Sequence, residues 1–381
     1  MDYTRYLGWD VHGETIVIAE ALPGRDPARD VGTIPNTSEA VLRWIRKQSD
    51  APTILIAYEA GPTGFGLARL CQREGIACEV IAPGLISVRP SDRVKTDRRD
   101  ARKLAVDLRA GQLTAIHLPT RIEEAFRDLV RAREVVVYDR RRVRQRLQSA
   151  LLRWGIRRPE RFIAWSPRWR TWIRTVHPES EWAQSVWDEL LSQLEELDAR
   201  VTRLERLIQT AMPTHPHASL LIALQALRGI DWITSATIVS ELGDFAQFAH
   251  PRAVMSSVGL VPSEASSGSG RHQGPITKTG NAHVRRVLVE AAHSYRYRPT
   301  KQGRSAYRVG KAPAAWRIPL TTIDWRAQQR LHARLRRLSG SRGRSQTITA
   351  VARELCGYCW EIAVWVRAET AQKEATESSA L

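Results

Sequence analysis

A chain of 381 residues is too long for one small module and leaves room for two or three domains. Its 43% hydrophobic and 26% charged content excludes disorder throughout. The excess of 58 Lys and Arg over 40 Asp and Glu, a formal charge of +18, points to a polyanionic partner, nucleic acid first. Four cysteines cannot make a disulfide framework at this length, and no apolar run approaches the roughly 18–20 residues of a membrane span. No signal peptide precedes the first strand-like run, so a soluble protein in a reducing, cytoplasmic compartment is expected, with no membrane partner.

Tyr6 to Val11 and Thr15 to Ala21 alternate as two strands joined by His12-Gly13-Glu14, and Thr53 to Tyr58 is rich in β-branched residues, as a buried strand requires. Between them Ser38 can cap a helix to about Lys47. Gly64 to Glu74 gives another helix before a strand at Cys78 to Ile81. Asp97 to Arg109 has Leu104, Ala105 and Leu108 on one helical face and is stopped by Gly111. Residues 1–118 therefore form an α/β domain.

From Ile122 to Met212 the pattern is helical throughout, which makes residues 119–213 a helical linker. Its first half interleaves arginines with Trp154, Trp165, Trp169 and Trp172. Such residues either stack unpaired RNA bases or pack helices together. In its second half Leu190, Leu194, Leu197, Val201, Leu204 and Ile208 follow steps of four and three, a coiled-coil seam or a long amphipathic core helix.

Residues 214–368 form a third region. Leu227-Arg228-Gly229-Ile230 before Thr234 to Leu242 resembles a helix-hairpin-helix, whose glycine turn offers backbone N–H groups to phosphate, although Asp231 replaces its second glycine. A Gly/Ser loop is expected from Ser263 to Gly274, then a basic helix through Arg285, Arg286 and Leu288. An irregular basic insertion from Arg296 to Arg344 precedes an apolar helix from Ile348 to Val366. Cys356 and Cys359 have metal-ligand spacing but sit in that apolar pattern, which makes them buried thiols. Residues 369–381 are polar and expected to be disordered.

Asp10 on the first strand and Glu59 at the end of the central strand stand among apolar neighbours, where an unpaired charge is costly. Asp97 and Asp100 are three apart at a helix start and share a face. Singly, Asp10 caps a turn, Glu59 pairs with an arginine, and the two aspartates favour the positive end of their helix. Together, four carboxylates from two strands and a helix can grip a phosphodiester through Mg²⁺ ions. Their order is that of an RNase H-like (RuvC-like) nuclease core.

This set, with Tyr58-Glu59-Ala60-Gly61-Pro62-Thr63-Gly64 and Lys95-Thr96-Asp97-Arg98-Arg99-Asp100-Ala101, resembles the DEDD transposases of bacterial insertion sequences, related to the pilin-gene invertases and described as bridge-RNA-guided recombinases. Gly259-Leu260-Val261-Pro262-Ser263-Glu264-Ala265-Ser266-Ser267-Gly268, then Ile276-Thr277-Lys278-Thr279-Gly280-Asn281, resembles the C-terminal domain of the same family. The resemblance implies an α/β RNase H-like domain, a coiled-coil linker and a mainly α-helical transposase domain. It also implies Mg²⁺ at Asp10, Glu59, Asp97 and Asp100, and a nucleophilic serine that maps to Ser267, with Ser266 and Ser269 as rivals. Arg271, Lys278, Arg285 and Arg286 flank that serine and are expected to bind phosphate. The implied partners are donor and target DNA, a structured guide RNA, and further copies of the chain in a dimer or tetramer on the bacterial nucleoid. A hydrolytic nuclease acting on branched DNA and a non-catalytic RNA-binding protein are the rival readings.

Overall fold

The computed structural model describes residues 3–86, 96–267 and 270–379, with the backbone alone at 85, 246, 265–267, 270–272, 374 and 377–379. Two compact units result, Met1–Thr120 and Arg121–Leu381.

The first unit is a five-stranded sheet of β1 (Arg5–Val11), β2 (Thr15–Ala21), β3 (Arg29–Pro35), β4 (Ile54–Glu59) and β5 (Ala77–Ile81), in the order β3-β2-β1-β4-β5. The β1, β2 and β3 meander is antiparallel, whereas β4 and β5 run parallel to β1. Side chains alternate between faces along a strand, and both faces of the central strands are apolar. Leu7, Trp9, Ile16, Ile18, Ile56 and Tyr58 share one core with helices α1 (Ser38–Arg46) and α2 (Gly66–Arg73). The opposite face, with Val17, Ala19 and Ala57, carries small residues and receives α3 (Asp97–Arg109). Thr37, not Ser38, caps α1. Strand β3 is absent from the sequence reading because it is an exposed edge strand interrupted by Gly32, with no buried face to impose alternation.

In the second unit α4 (Arg121–Arg153) and α6 (Glu181–Ala211) form an antiparallel helical hairpin, as the ion pairs Arg133 to Glu205 at 2.6 Å and Arg140 to Asp198 at 2.9 Å require. Leu194, Leu197 and Val201 of the proposed seam pack on Val136, Val143 and Leu147 of α4. The seam is therefore filled within the chain. Trp169 and Trp187 are fully buried, and Trp154, Trp165 and Trp172 pack around them beside α5 (Pro167–Ile173). The root of the hairpin, Phe126, Val130 and Ile208, joins the core of the C-terminal helices. Residues 121–213 lie within the second unit.

That C-terminal core is built by α7 (Ala218–Ala223), α8 (Trp232–Leu242), α9 (Pro251–Ser257), α10 (Ala282–Ala292), α11 (Arg304–Gly310), α12 (Ala314–Ser339) and α13 (Arg344–Ser379). Four expectations change. The Gly/Ser loop is a β-hairpin of β6 (Pro262–Ser267) and β7 (Gly270–Ile276). The irregular basic insertion contains α11 and α12, because Trp316, Leu320, Ile323, Ala327 and Leu331 are buried at helical spacing among the arginines. The helix expected to end near Val366 continues to Ser379, through most of the tail expected as disordered. The glycine turn at Gly229 packs against the protein itself. Gly229 lies at φ +87° with a Cβ position 2.5 Å from the Ala291 carbonyl oxygen, the Asp324 carboxylate accepts the Arg228 N–H at 3.0 Å, and Asp231 caps α8. Cys356 and Cys359 are buried thiols, and burial pushes the Cys356 thiol up to about 12. No described helix is long and apolar enough to cross a membrane.

Candidate active site

Asp10 and Glu59 are set side by side by register. They follow the paired residues Trp9 and Tyr58 of the parallel strands β1 and β4. Both therefore project on the face opposite those buried aromatics, the face that α3 covers. The approach of α3 depends on Gly8, where a Cβ would lie 2.1 Å from the Ala101 carbonyl oxygen and 2.5 Å from the Ala105 nitrogen. Helix backbone rests directly on the strand, and this brings the first turn of α3, with Asp97 and Asp100, to the strand end that carries Asp10. Arg102 fixes the helix against β3 through a two-pronged bond to Asp30 at 2.7 and 2.5 Å, and the Thr96 hydroxyl accepts the Arg99 N–H at the N-cap. On the other side of Glu59, the buried Tyr58 hydroxyl donates to the Gly64 carbonyl at 3.0 Å and holds the turn of the Gly61-Pro62-Thr63-Gly64 segment.

Among the described residues, the donors that converge are Asp10, His12 and Asp97, whose ligand atoms lie within 4.8 Å of one another. His12 Nε2 is 3.2 Å from Asp10 Oδ2 and 3.6 Å from Asp97 Oδ1. Burial pushes the Asp10 carboxyl up, His12 draws it down, and the negative charges of Asp97 and Asp100 push it up again. Asp100 thus acts on Asp10 electrostatically, but neither it nor the exposed Glu59 is in the converging group. His12 was not expected. Its signal is its position two residues beyond Asp10, which repeats the period of the strand onto the same face. Asn36 fixes its backbone by donating to the His12 carbonyl at 2.6 Å. Lys95 lies outside the described residues.

In the second unit Ser267 closes β6, paired with Gly270, and Ser266 pairs with Arg271. Ser269 lies outside the described residues, as do the side chains of Ser266, Ser267 and Arg271. The base of the hairpin is tightly specified. Gly259 at φ +65° and Gly280 at φ +101° would place a Cβ 2.3 Å from the Thr279 carbonyl oxygen and 2.0 Å from the Ser257 carbonyl oxygen respectively. Asn281 caps α10 by accepting the Val284 N–H, and its amide donates to Glu241 at 2.6 Å. Burial alone would raise the buried Glu241 carboxyl, yet Arg131 and Asn281 hold it below the usual range. Of the expected phosphate ligands, Lys278 is exposed at φ +55°. Arg285 donates to the Val258 carbonyl at 2.8 Å, and Arg286 pairs with Glu134 at 3.0 Å and Glu290 at 3.2 Å. Both arginines have protein partners.

A carboxylate and imidazole cluster at the end of a mixed sheet is a setting for divalent-metal chemistry on phosphodiesters. The comparisons with known proteins point the same way. A family model described as Transposase, of the DEDD type found in IS110 elements, matches residues 7–155. A second, Transposase IS116/IS110/IS902 family, matches residues 222–308. A protein of Sinorhizobium fredii carrying the transposase name y4qE is 40% identical over 370 residues, 96% of this chain and 90% of that one. The chain belongs to the IS110/IS116 family of insertion-sequence transposases. Two further similar proteins are the transposase for insertion sequence element IS1533 of Leptospira borgpetersenii, 28% identical over 88% of this chain and 97% of its own, and that for IS1328 of Yersinia enterocolitica, 27% identical over 65% and 72%. This transposase is an enzyme acting on DNA, and the order of its sheet fits the RNase H-like class expected of a DEDD transposase.

Proposed function

We propose that this transposase cuts and rejoins DNA through a phosphoserine intermediate on Ser267, with the reacting phosphate held by Mg²⁺ at Asp10, Asp97, Glu59 and Asp100. The observation that carries the reading is the convergence of Asp10, His12 and Asp97 within 4.8 Å. The residues fit a divalent cation, since a half-buried carboxyl raised by burial and by two like charges is what a cation relieves. When bound, the cation neutralises charge developing on the phosphate oxygens. Asp10 and Asp97 would hold it, with Glu59 and Asp100 completing the proposed set, and His12 orients Asp10 through Nε2. The Ser267 Oγ–P bond forms as a DNA P–O bond breaks, the seryl proton leaves to a base, and the released deoxyribose hydroxyl takes up a proton. The number of phosphoester bonds is unchanged, so religation needs no ATP. The reading extends to a structured guide RNA that selects donor and target by pairing, leaving the protein to read backbone and shape. It extends also to a dimer or tetramer working on the bacterial nucleoid in the cytoplasm.

Ser267→Ala abolishes covalent protein–DNA adducts with DNA binding retained, whereas Ser266→Ala and Ser269→Ala do not. Asp10→Asn and Asp97→Asn abolish strand cleavage and weaken Mn²⁺ binding measured by calorimetry. A second reading, hydrolysis by water, is favoured by one observation: all three converging donors belong to the first unit and none needs the serine. Cleavage without any adduct, undiminished in Ser267→Ala, would decide for it. RNA that copurifies with the protein, sequenced, tests guidance.

A further inference from the structure

Three guanidinium groups, two on α4 and one on α5, converge on one carboxylate of α6. Asp198 on α6 faces Arg140 Nη1 at 2.9 Å, Arg144 Nη2 at 3.6 Å and Arg170 Nη1 at 3.3 Å, so one negative charge answers three positive ones. Arg144 bears the imbalance. Its Nε is buried with no hydrogen-bond partner, and its guanidinium carbon sits 4.8 Å from the Trp165 ring centroid. Burial and then the neighbouring Arg140 draw its pKa down, Asp198 opposes them, and Arg170 adds to the fall. Trp165 stands at φ +66°, a left-handed backbone that a tryptophan adopts only under constraint, and packs on Trp169 with ring centroids 3.9 Å apart.

Beside these groups opens a cavity of about 400 Å³, lined by Arg140, Arg141, Arg144, Gln145, Gln148 and Trp165. A solvated basic face would leave each guanidinium group freely hydrated, whereas here the Arg144 side chain is only 20% exposed, reaches Asp198 through Nη2 and keeps a buried Nε with no hydrogen-bond partner at the wall of the cleft. Surplus cationic charge selects a phosphate. A partly exposed indole, whose ring already packs on the Arg144 guanidinium and on Trp169, offers apolar contact, and two exposed primary amides offer hydrogen bonds, to a planar heterocycle. The volume is that of an ordinary small-ligand site.

We propose that this cavity binds one nucleotide of an unpaired nucleic-acid strand, with Arg140, Arg141 and Arg144 on the backbone phosphate and Trp165, Gln145 and Gln148 on the base. The site shares no residue with the carboxylate cluster or the serine hairpin and is independent of the reaction proposed for them.

The test is fluorescence anisotropy of the full-length protein with labelled single strands of RNA and of DNA, and with a duplex, all in EDTA so that metal chemistry is silent. Arg141 is exposed and lines the cavity, so Arg141→Gln leaves the fold intact. It lowers single-strand affinity roughly 3- to 10-fold at about 0.15 M salt and reduces the slope of log K against log salt by about 0.7. Trp165→Phe, which keeps an aromatic ring beside Trp169 and Arg144, lowers affinity roughly 3-fold with the slope unchanged. Loss confined to the RNA strand or to the DNA strand identifies which one the cavity holds. Unchanged affinity and slope for both strands in both variants overturns the site, and an equal loss on the duplex overturns its use of an unpaired base.

Discussion

In the first unit the candidate site stands on the elements that also make the core, whereas in the second the proposed serine stands at the end of a two-stranded hairpin whose base is tightly packed. Asp10 and Glu59 follow Trp9 and Tyr58, both fully buried, so moving either carboxylate means moving the sheet. Ser267 is tied to its unit through Gly259, Gly280, Asn281 and the Arg131–Glu241 pair. On the proposed reading, the site residues are held by register in one unit and by a clamp at the base of the hairpin in the other. Charge is also treated differently. At the carboxylate site burial raises Asp10 and the like charges of Asp97 and Asp100 add to it, against the pull of His12. At the hairpin root opposite charges cancel.

The largest effect expected from breaking this contrast is at Gly8. A side chain there must displace helix backbone at 2.1 Å, so Gly8→Val destabilises the first unit by on the order of 4 kcal/mol or unfolds it. The measurement is calorimetric unfolding alongside Mn²⁺ binding. Retention of both in Gly8→Val would show that α3 is not seated by backbone contact.

Next comes a pH dependence confined to the second unit. Burial draws His215 down to about 4, with His217 assisting and Glu123 opposing. The ring stacks on Phe126 with centroids 4.6 Å apart, and its Nδ1 accepts the His217 N–H at 3.1 Å. The folded chain therefore keeps His215 neutral while the unfolded chain takes a proton near pH 6.5. Its contribution is complete above pH 6.5, falls by about 1.4 kcal/mol per unit as pH drops, and levels off near pH 4. Denaturant unfolding at several pH values should show this slope in the wild type and lose it in His215→Leu. The same slope in both would remove His215 as its source.

A third test acts on the clamp. The Glu241 side chain is only 2% exposed while that of Arg131 is 45% exposed, so Glu241→Gln weakens one partner of a half-solvated pair and costs about 1–2 kcal/mol. Asn281 loses its charged acceptor at the same time. Adduct formation on the serine should fall more than DNA binding does. Equal losses in the two would mean that the clamp serves the fold alone.

The contrast also explains what could be read in the sequence. Strands β1, β2 and β4 and helix α3 were legible because each buries a face, and burial writes a period of 2 or 3.6 into the residues. The pair Asp97 and Asp100 was legible as a helix face and Asp10 as a partly buried charge among apolar neighbours, whereas Glu59, expected in a like setting, is exposed at its strand end. His12 was not, because a histidine in a turn has many uses. Strand β3 is exposed and the hairpin of β6 and β7 is Gly/Ser-rich in sequence, so neither carries a clear apolar alternation. Helix α12 was masked by its arginines and by Pro319 in its second turn. The seam on α6 was legible as a seam, but its partner was not, because an apolar stripe does not say whether α4 of its own chain or a second copy will cover it. Similarly Arg285 and Arg286 read as phosphate ligands by charge, and only the fold shows Val258, Glu134 and Glu290 waiting for them.

The smallest effect sharpens the comparison most, because the same type of bond occurs in both units. Thr96 caps α3 by accepting the Arg99 N–H, and Asn281 caps α10 by accepting the Val284 N–H. Deleting either cap costs about 1 kcal/mol or less in global stability. The local consequences differ. Thr96→Ala loosens the turn that carries Asp97 and Asp100, so Mn²⁺ affinity should fall about 3-fold while the melting temperature barely moves. Asn281→Ala removes a cap and also a donor to Glu241, so it should leave Mn²⁺ binding unchanged and slow the serine step. If instead Thr96→Ala leaves Mn²⁺ affinity intact, the first turn of α3 is held by Gly8 and Arg102 alone, and the site belongs wholly to the sheet.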